Sequence, residues 1–142
     1  MFITLTPMLS VAGQVAPDDM AAAAAAGFTT VVNNRPDHEA PGQSEGAAID
    51  AAATAAGLRY VSIPVDHSGL GPAQVEAMAA ALRASRGPVL AFCRSGTRSA
   101  TLWALAAASL GEDADAIIAA AARGGYALGG MRPALLQLGA AA

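Results

Sequence analysis

The sequence predicts an α/β fold with a mostly parallel central sheet and helices on both of its faces. Short apolar stretches bounded by glycine and proline alternate with helix-like stretches along the 142 residues. One apolar stretch runs directly into a polar loop and then a long apolar helix. The 54% hydrophobic content and the length fit a single domain over residues 1–142 with a substantial core.

The first half of the chain is predicted to supply most of the strands. Pro17 with two aspartates opens a first helix, which Gly27 ends. Ser44 is expected to cap a second helix that runs to about Ala56. The predicted strands of this half are residues 2–6, 10–11, 29–33 and 60–63.

The second half is predicted to be mainly helical around one further strand. Residues 89–92 form a wholly apolar run, which is typical of a buried parallel strand. The helices are expected at residues 72–83 and 98–109, after Asp113, and from Met131 onward. No internal repeat or credible domain boundary interrupts this order.

Charge and composition exclude several classes of partner. The net charge is −3, and the eight positive side chains are arginines scattered without a basic patch. Nucleic-acid and anionic-membrane binding are therefore not expected. No apolar stretch reaches the ~18 residues of a membrane span, and no basic segment precedes the apolar start. We expect a cytoplasmic protein, in agreement with a single cysteine and no internal disulfide. Self-association into a homo-oligomer is left open.

The loop that follows residues 89–92 has the composition of an anion-binding cradle around a nucleophile. Cys93 lies between a strand and a helix N-terminus, whose free N–H groups and partial positive charge favour a thiolate. Ser95 and Gly96 allow the backbone to turn several N–H groups toward one point. Arg98 adds a planar guanidinium that can grip an oxyanion. The expected anion-binding residues of the loop are Arg94, Ser95, Gly96, Thr97 and Ser99.

A lone cysteine after a core strand is more often a small hydrophobic residue than a catalyst. Its surroundings favour the functional interpretation here, because two arginines, a glycine and serines have little use beside a passive core position. The two histidines and nearby carboxylates match no usual metal-ligand spacing, so neither a metal nor an organic cofactor is expected. Arg35 follows another strand and either steers anions or pairs with Asp37 or Glu39.

The chain resembles the bacterial family of beta-lactamase-hydrolase-like, phosphatase-like sulfur transferase proteins. The resemblance covers about residues 2–133, and its most specific part is the loop after strand 89–92. It implies a fold like that of dual-specificity cysteine phosphatases with a loop like that of rhodaneses. The motifs that carry it are Val31-Val32-Asn33-Asn34-Arg35-Pro36-Asp37, Pro41-Gly42-Gln43, Ala56-Gly57-Leu58, Ile63-Pro64-Val65 and Phe92-Cys93-Arg94-Ser95-Gly96-Thr97-Arg98-Ser99.

The spacing within the loop favours sulfur transfer over phosphate hydrolysis. Cysteine phosphatases have histidine before the cysteine and five residues between it and the arginine. This chain has Phe92 before Cys93 and four residues between Cys93 and Arg98, as rhodaneses do. The smaller ring is expected to suit a single sulfur better than a phosphate. The thiolate would take a sulfur from an anionic donor such as thiosulfate and pass it to a thiol or cyanide.

Two alternatives to sulfur transfer remain open. The first is a cysteine-dependent phosphatase that forms a phosphothiolate on Cys93 and uses Asp66 as its acid. In the phosphatases that the fold resembles, a loop aspartate protonates the leaving alkoxide, and Asp66 is placed to do so. Asp66 is equally well explained as the cap of the turn at Ser68 and Gly69. The other alternative is a non-catalytic module that binds anions or senses reactive sulfur.

Overall fold

A computed structural model describes residues 1–141 and shows a five-stranded sheet covered by six α-helices. The strands are β1 (Ile3–Thr6), β2 (Leu9–Ala12), β3 (Thr30–Asn33), β4 (Arg59–Ser62) and β5 (Val89–Phe92). The helices are α1 (Asp19–Ala25), α2 (Gly46–Ala55), α3 (Pro72–Ala84), α4 (Thr97–Ser109), α5 (Ala114–Arg123) and α6 (Arg132–Ala140). A short 3-10 turn over Gly129–Met131 leads into α6.

The sheet has the order β1-β2-β5-β3-β4, and only β1 runs antiparallel to its neighbour. The predicted mostly parallel sheet with helices on both faces is confirmed. Strand β5 lies at the centre, with Phe92 beside Ala12 of β2 and Asn33 of β3. The ends of three parallel strands therefore meet where the loop of Cys93 begins.

Two separate cores cover the two faces of the sheet, because successive strand residues point to opposite sides. Val89 and Ala91 belong to the larger core with helices α3 to α6, whereas Leu90 and Phe92 belong to the core with α1 and α2. All four side chains are buried. This double burial explains why β5 reads as a continuous apolar run rather than an alternating one.

Alanine lets helix α4 pack closely against the sheet and its neighbours. Ala100, Ala104, Ala106, Ala107 and Ala108 are fully buried in the larger core. Alanine is the best helix former and allows neighbouring helices to approach closely. The helix that begins at the candidate site is thus held firmly at its position.

The predicted cap of the second helix is wrong. Helix α2 begins at Gly46 with Glu45 at its N-cap position, and the Ser44 side chain is not its cap. The carboxylate of Asp37 accepts a hydrogen bond from the Gly46 N–H at 2.8 Å. A side chain from the preceding loop thus satisfies a free N–H group of this terminus, so the local serine is not needed. The other predicted elements differ from the structure only at their ends.

Candidate active site

The cysteine loop begins at the end of the central strand and is tied to the strands on both sides. The Cys93 N–H donates to the Ala12 carbonyl at 3.3 Å, and the Asn34 N–H donates to the Phe92 carbonyl at 2.9 Å. The Gln14 N–H donates to the Arg94 carbonyl at 3.3 Å. Gly13 is required beside it, because a Cβ there would lie 3.0 Å from the same oxygen. The strand ends therefore fix the start of the loop.

The sulfur of Cys93 lies at the centre of this loop. The Gly96 N–H donates to Sγ at 3.1 Å. Gly96 has a φ of 89°, a left-handed conformation that glycine adopts at little cost, and it is the N-cap residue of α4. Cys93 is 1% exposed, so almost none of this residue is open to solvent.

The surroundings of Cys93 lower the pKa of its thiol below the ordinary value. Burial raises this pKa and is the largest single influence, but hydrogen bonds to the sulfur together outweigh it. They come from the N–H groups of Ser99, Ser95 and Gly96 and from the Ser99 hydroxyl. The loop therefore stabilises a thiolate, as the sequence predicts.

The Ser99 hydroxyl has two possible acceptors for its one proton, the Asn34 side chain and the Cys93 sulfur. It donates to Asn34 Oδ1 at 2.8 Å, and both side chains are fully buried. The Asn34 amide is oriented by its own donation to the Ile63 carbonyl at 2.9 Å. A hydroxyl has one proton, so a bond to the Cys93 sulfur competes with the bond to Asn34. The backbone N–H groups are thus the constant donors to the thiolate.

Arg98 lies next to Cys93 and is held by a carboxylate from another loop. Its two terminal nitrogens donate to Glu39 at 2.8 Å each, and one of them also donates to the Val65 carbonyl at 2.8 Å. This fork-to-fork geometry fixes the plane of the guanidinium. Hydrogen bonds from Arg98 lower the pKa of Glu39 most, and the pKa falls to about 2 although burial opposes this.

Arg35 belongs to the same network, but it lies behind Glu39 rather than at the mouth. It is 6% exposed and donates to Glu39 at 2.8 Å and to Gln14 Oε1 at 3.0 Å. Of the two predicted roles, the structure shows the pairing with Glu39, in which the Arg35 side chain is buried and that of Glu39 is partly exposed. Two guanidinium groups around one carboxylate leave a surplus positive charge beside Cys93. This surplus favours both a thiolate and an incoming anion.

The other predicted anion-binding residues of the loop differ from Arg35, because most of their side chains are exposed. The side chains of Arg94, Ser95 and Thr97 are exposed at the rim of the loop. The Ser95 hydroxyl is 3.3 Å from the Thr97 hydroxyl. Ser95 contributes to the stabilisation of the thiolate through its backbone N–H group. No group of three or more His, Cys, Asp or Glu side chains within residues 1–141 is arranged to hold a metal ion.

Asp66 lies on the loop after β4, one residue beyond the carbonyl that accepts from Arg98. Its carboxylate accepts hydrogen bonds from the N–H and hydroxyl of Ser68, so it caps its own turn. Asp66 is fully exposed, and these hydrogen bonds lower its pKa. The predicted turn-capping role is present in the structure, and the role as a proton donor stays a prediction.

Two residues of the site carried little or no signal in the sequence. The sequence indicates Glu39 only as a partner of Arg35, and its bond to Arg98 joins residues 59 positions apart. Tyr126, on the loop after α5, donates from its hydroxyl to the Ser95 carbonyl at 3.2 Å. Nothing local to Tyr126 indicates this contact.

Fold and site together define a protein of the cysteine-phosphatase-like class, with a buried cysteine whose pKa is lowered by the loop that follows β5. The family model for the phosphatase-like domain of beta-lactamase hydrolase-like proteins matches residues 1–110. The chain belongs to this family. No helix within residues 1–141 is long and apolar enough to cross a membrane.

Comparisons with individual proteins agree with this class. The chain is 31% identical to a candidate phosphatase of Neisseria meningitidis Z2491, with a TM-score of 0.79 over 96% of both chains. The structure of Tk-PTP in its active form is 17% identical, with a TM-score of 0.70 over 98% of this chain and 96% of that one, and shows the fold alone.

A curated relative is much longer than this chain. The beta-lactamase hydrolase-like protein of Agrobacterium fabrum is 37% identical over 103 residues, which are 72% of this chain and 24% of the relative. The chain thus spans about a quarter of that protein. Taken together, the comparisons support the phosphatase alternative better than the sulfur-transfer hypothesis.

Proposed function

We propose that the protein is a cysteine-dependent phosphatase that hydrolyses phosphate monoesters through a phosphothiolate on Cys93. The observation that carries the proposal is the sulfur itself, which is buried at the focus of the loop amides beside a fixed guanidinium. The phosphatase-like family and the similar candidate phosphatase support this choice of reaction.

The reaction would proceed in two displacements. The thiolate of Cys93 attacks phosphorus, an S–P bond forms, and the ester P–O bond breaks with the electron pair staying on the leaving oxygen. Loop amides and Arg98 bind the phosphoryl oxygens and stabilise the charge that develops on them. Water then attacks phosphorus, the S–P bond breaks, and inorganic phosphate leaves with the thiolate restored. The backbone N–H groups of Ser95, Gly96 and Ser99 stabilise the departing thiolate.

The position of Asp66 bears on which esters react. A leaving alkoxide needs a proton, which Asp66 would supply and later recover from the attacking water. Its hydrogen bonds to Ser68 keep its pKa low and hold it in its own turn. We therefore expect aryl phosphates, whose phenolate leaving groups need little protonation, to react faster than alkyl phosphates.

Sulfur transfer is the second candidate, and one observation favours it. Four residues rather than five separate Cys93 from Arg98, and the residue before Cys93 is Phe92 rather than histidine. In this reaction the thiolate attacks the outer sulfur of a donor such as thiosulfate, the S–S bond breaks, and sulfite leaves without a proton. The resulting Cys93 persulfide passes its outer sulfur to a thiol acceptor or to cyanide.

Paired steady-state kinetics test the proposal. An aryl phosphate and thiosulfate with cyanide are supplied separately to the wild-type protein and to Cys93→Ser as the matched control. We expect the wild type to hydrolyse the aryl phosphate and the control to be inactive. Thiosulfate turnover without phosphate hydrolysis would replace the phosphatase with the sulfurtransferase. Turnover of neither substrate would favour the non-catalytic anion-binding or sulfur-sensing module.

A further inference from the structure

Tyr126 covers the middle of the cysteine loop from outside. It lies on the segment after α5, is partly buried, and donates its hydroxyl proton to the Ser95 carbonyl at 3.2 Å. A Cβ added to Gly96 would collide with this hydroxyl oxygen. Tyr126 therefore packs directly against the turn at Gly96, whose N–H group points toward the sulfur.

Tyr126 and the sulfur of Cys93 hold opposite ends of one peptide group. The Ser95 carbonyl and the Gly96 N–H belong to the same trans peptide, so they point in opposite directions. The carbonyl accepts from Tyr126, and the N–H donates to Cys93 Sγ at 3.1 Å. If this peptide turned over, its carbonyl oxygen would face the thiolate.

The peptide before Gly96 is one that can turn over. Gly96 has a φ of 89°, and glycine passes between left- and right-handed conformations more easily than other residues. The side chains of Ser95 and Thr97 on either side are exposed and bond only to each other among the described residues. Besides the bond from the Gly96 N–H to the Cys93 sulfur, the contact from Tyr126 is thus the side-chain contact that opposes rotation of the peptide.

We propose that Tyr126 is a positioning residue that keeps the Ser95–Gly96 peptide turned with its N–H toward Cys93 and thereby keeps the nucleophile ionised. The inference deepens the proposed function, because it concerns the same thiolate. It assigns the hydroxyl of Tyr126, rather than its ring, the task of holding the loop.

The charged neighbours of the sulfur are consistent with this role. Burial, and to a smaller extent the charge of Cys93, raise the pKa of the Tyr126 phenol, so it keeps its proton and remains a donor. Arg98 also interacts with Cys93, and the bond from Arg98 to Glu39 is the main cause of the raised pKa of Arg98. Because Ser95 and Ser99 also donate to the sulfur, loss of the Gly96 contact should weaken the thiolate rather than abolish it.

The test is the rate of alkylation of Cys93 by iodoacetamide over a pH series, in the wild type and in Tyr126→Phe. Cys93 is the only cysteine of the chain, so the reaction reports one site. We expect the midpoint of the profile to move to higher pH in Tyr126→Phe. Below the midpoint the rate should fall about threefold to tenfold, the equivalent of one hydrogen bond.

Tyr60→Phe is the matched control, because the hydroxyl of Tyr60 accepts from Asn33 and does not bond to the cysteine loop. Circular dichroism establishes that each variant is folded before its rates are compared. A folded Tyr126→Phe with the wild-type midpoint would overturn the proposal, as would an equal shift in Tyr60→Phe. Alkylation needs no turnover. The result therefore does not depend on whether the protein is a phosphatase or a sulfurtransferase. A wild-type midpoint at the value of an ordinary thiol would instead count against the proposed function.

Discussion

Arg98, just after the β5 loop, donates to the Val65 carbonyl in the loop after β4, yet these two loops are prepared for chemistry to different degrees. The β5 loop is held by neighbouring strands, by α4 and by Tyr126, and its N–H groups converge on Cys93. The β4 loop carries Asp66, whose carboxylate is exposed and bonded within its own turn. The structure thus has a candidate nucleophile with N–H groups already directed at its sulfur, whereas its candidate acid is bonded to Ser68 within its own turn.

This difference separates the proposed steps that need no rearrangement of the site from those that need one. In the proposed mechanism, attack by the thiolate and stabilisation of an anion use groups that are already in place. The proposed protonation of a poor leaving group by Asp66 would require this residue to exchange its turn contacts for the substrate. Reactions with good leaving groups, such as aryl phosphates or thiosulfate, depend on the first loop alone.

Removal of the nucleophile should have the largest effect. Cys93→Ser keeps the volume of the side chain, but its hydroxyl is not ionised in this loop. We expect turnover to fall by roughly 10⁴-fold or more, since removal of a catalytic nucleophile alone eliminates nearly all chemistry. Steady-state assays on both substrate classes, with thermal unfolding to verify the fold, measure this. Retained turnover in a folded Cys93→Ser would remove Cys93 from the mechanism.

Asp66→Asn should slow phosphate hydrolysis much more than sulfur transfer. Hydrolysis of an alkyl phosphate should fall about 10²-fold, because its leaving alkoxide loses its proton donor. Thiosulfate sulfur transfer should be nearly unchanged, because sulfite leaves without a proton. Comparison of the two rates in the same preparation makes each the control for the other. Equal losses on both substrates would mean that Asp66 supports the loop instead of donating a proton.

Glu39→Gln tests the support of Arg98. The variant keeps the shape of the side chain but loses the charge that receives both nitrogens of the guanidinium. We expect kcat/KM to fall about tenfold, because a misplaced guanidinium binds the anion less well. Asp50→Asn is the matched control, because it removes an exposed carboxylate outside the Arg98 network, one that accepts from Thr54 on α2. Similar losses in both variants would point to a general effect of charge.

The smallest expected effect concerns stability in acid. The pKa of Glu39 lies at about 2 in the folded protein against an ordinary 4.5, so its ion pairs stabilise the fold at pH values above 4.5. This contribution should be lost as the pH falls from about 4.5 toward 2. Denaturant unfolding over this range measures it as the difference between the wild type and Glu39→Gln. A difference that does not depend on pH would contradict the assigned pKa.

The sequence predicted the parts of the molecule that depend on neighbouring residues. The run of residues 89–92 gave the central strand because double burial leaves a continuous apolar signature, and the residues of the anion cradle follow it directly. The cap of α2 was predicted wrongly because Asp37, nine residues before Gly46, bonds to it. Contacts of this kind depend on tertiary packing.

The residues that support the site could not be predicted from the sequence, for the same reason. Glu39 and Arg98 are 59 positions apart, and Ser95 and Tyr126 are 31 positions apart. Arg35 and Glu39 have the spacing of a local ion pair, but nothing local shows that the pair also holds Arg98. The candidate nucleophile could therefore be named from the sequence, and the residues that support it in the structure could not.

Intact-mass spectrometry of protein quenched in acid during turnover tests the covalent role of Cys93 most directly. An aryl phosphate and thiosulfate are supplied separately to the wild type and to Cys93→Ser. We expect the wild type to gain the mass of one phosphoryl group from the aryl phosphate, located on Cys93 by peptide mapping, and Cys93→Ser to gain none. Gain of one sulfur atom from thiosulfate alone would keep the nucleophile and change the reaction. Turnover with no adduct on Cys93 at any quench time would contradict covalent catalysis by this residue.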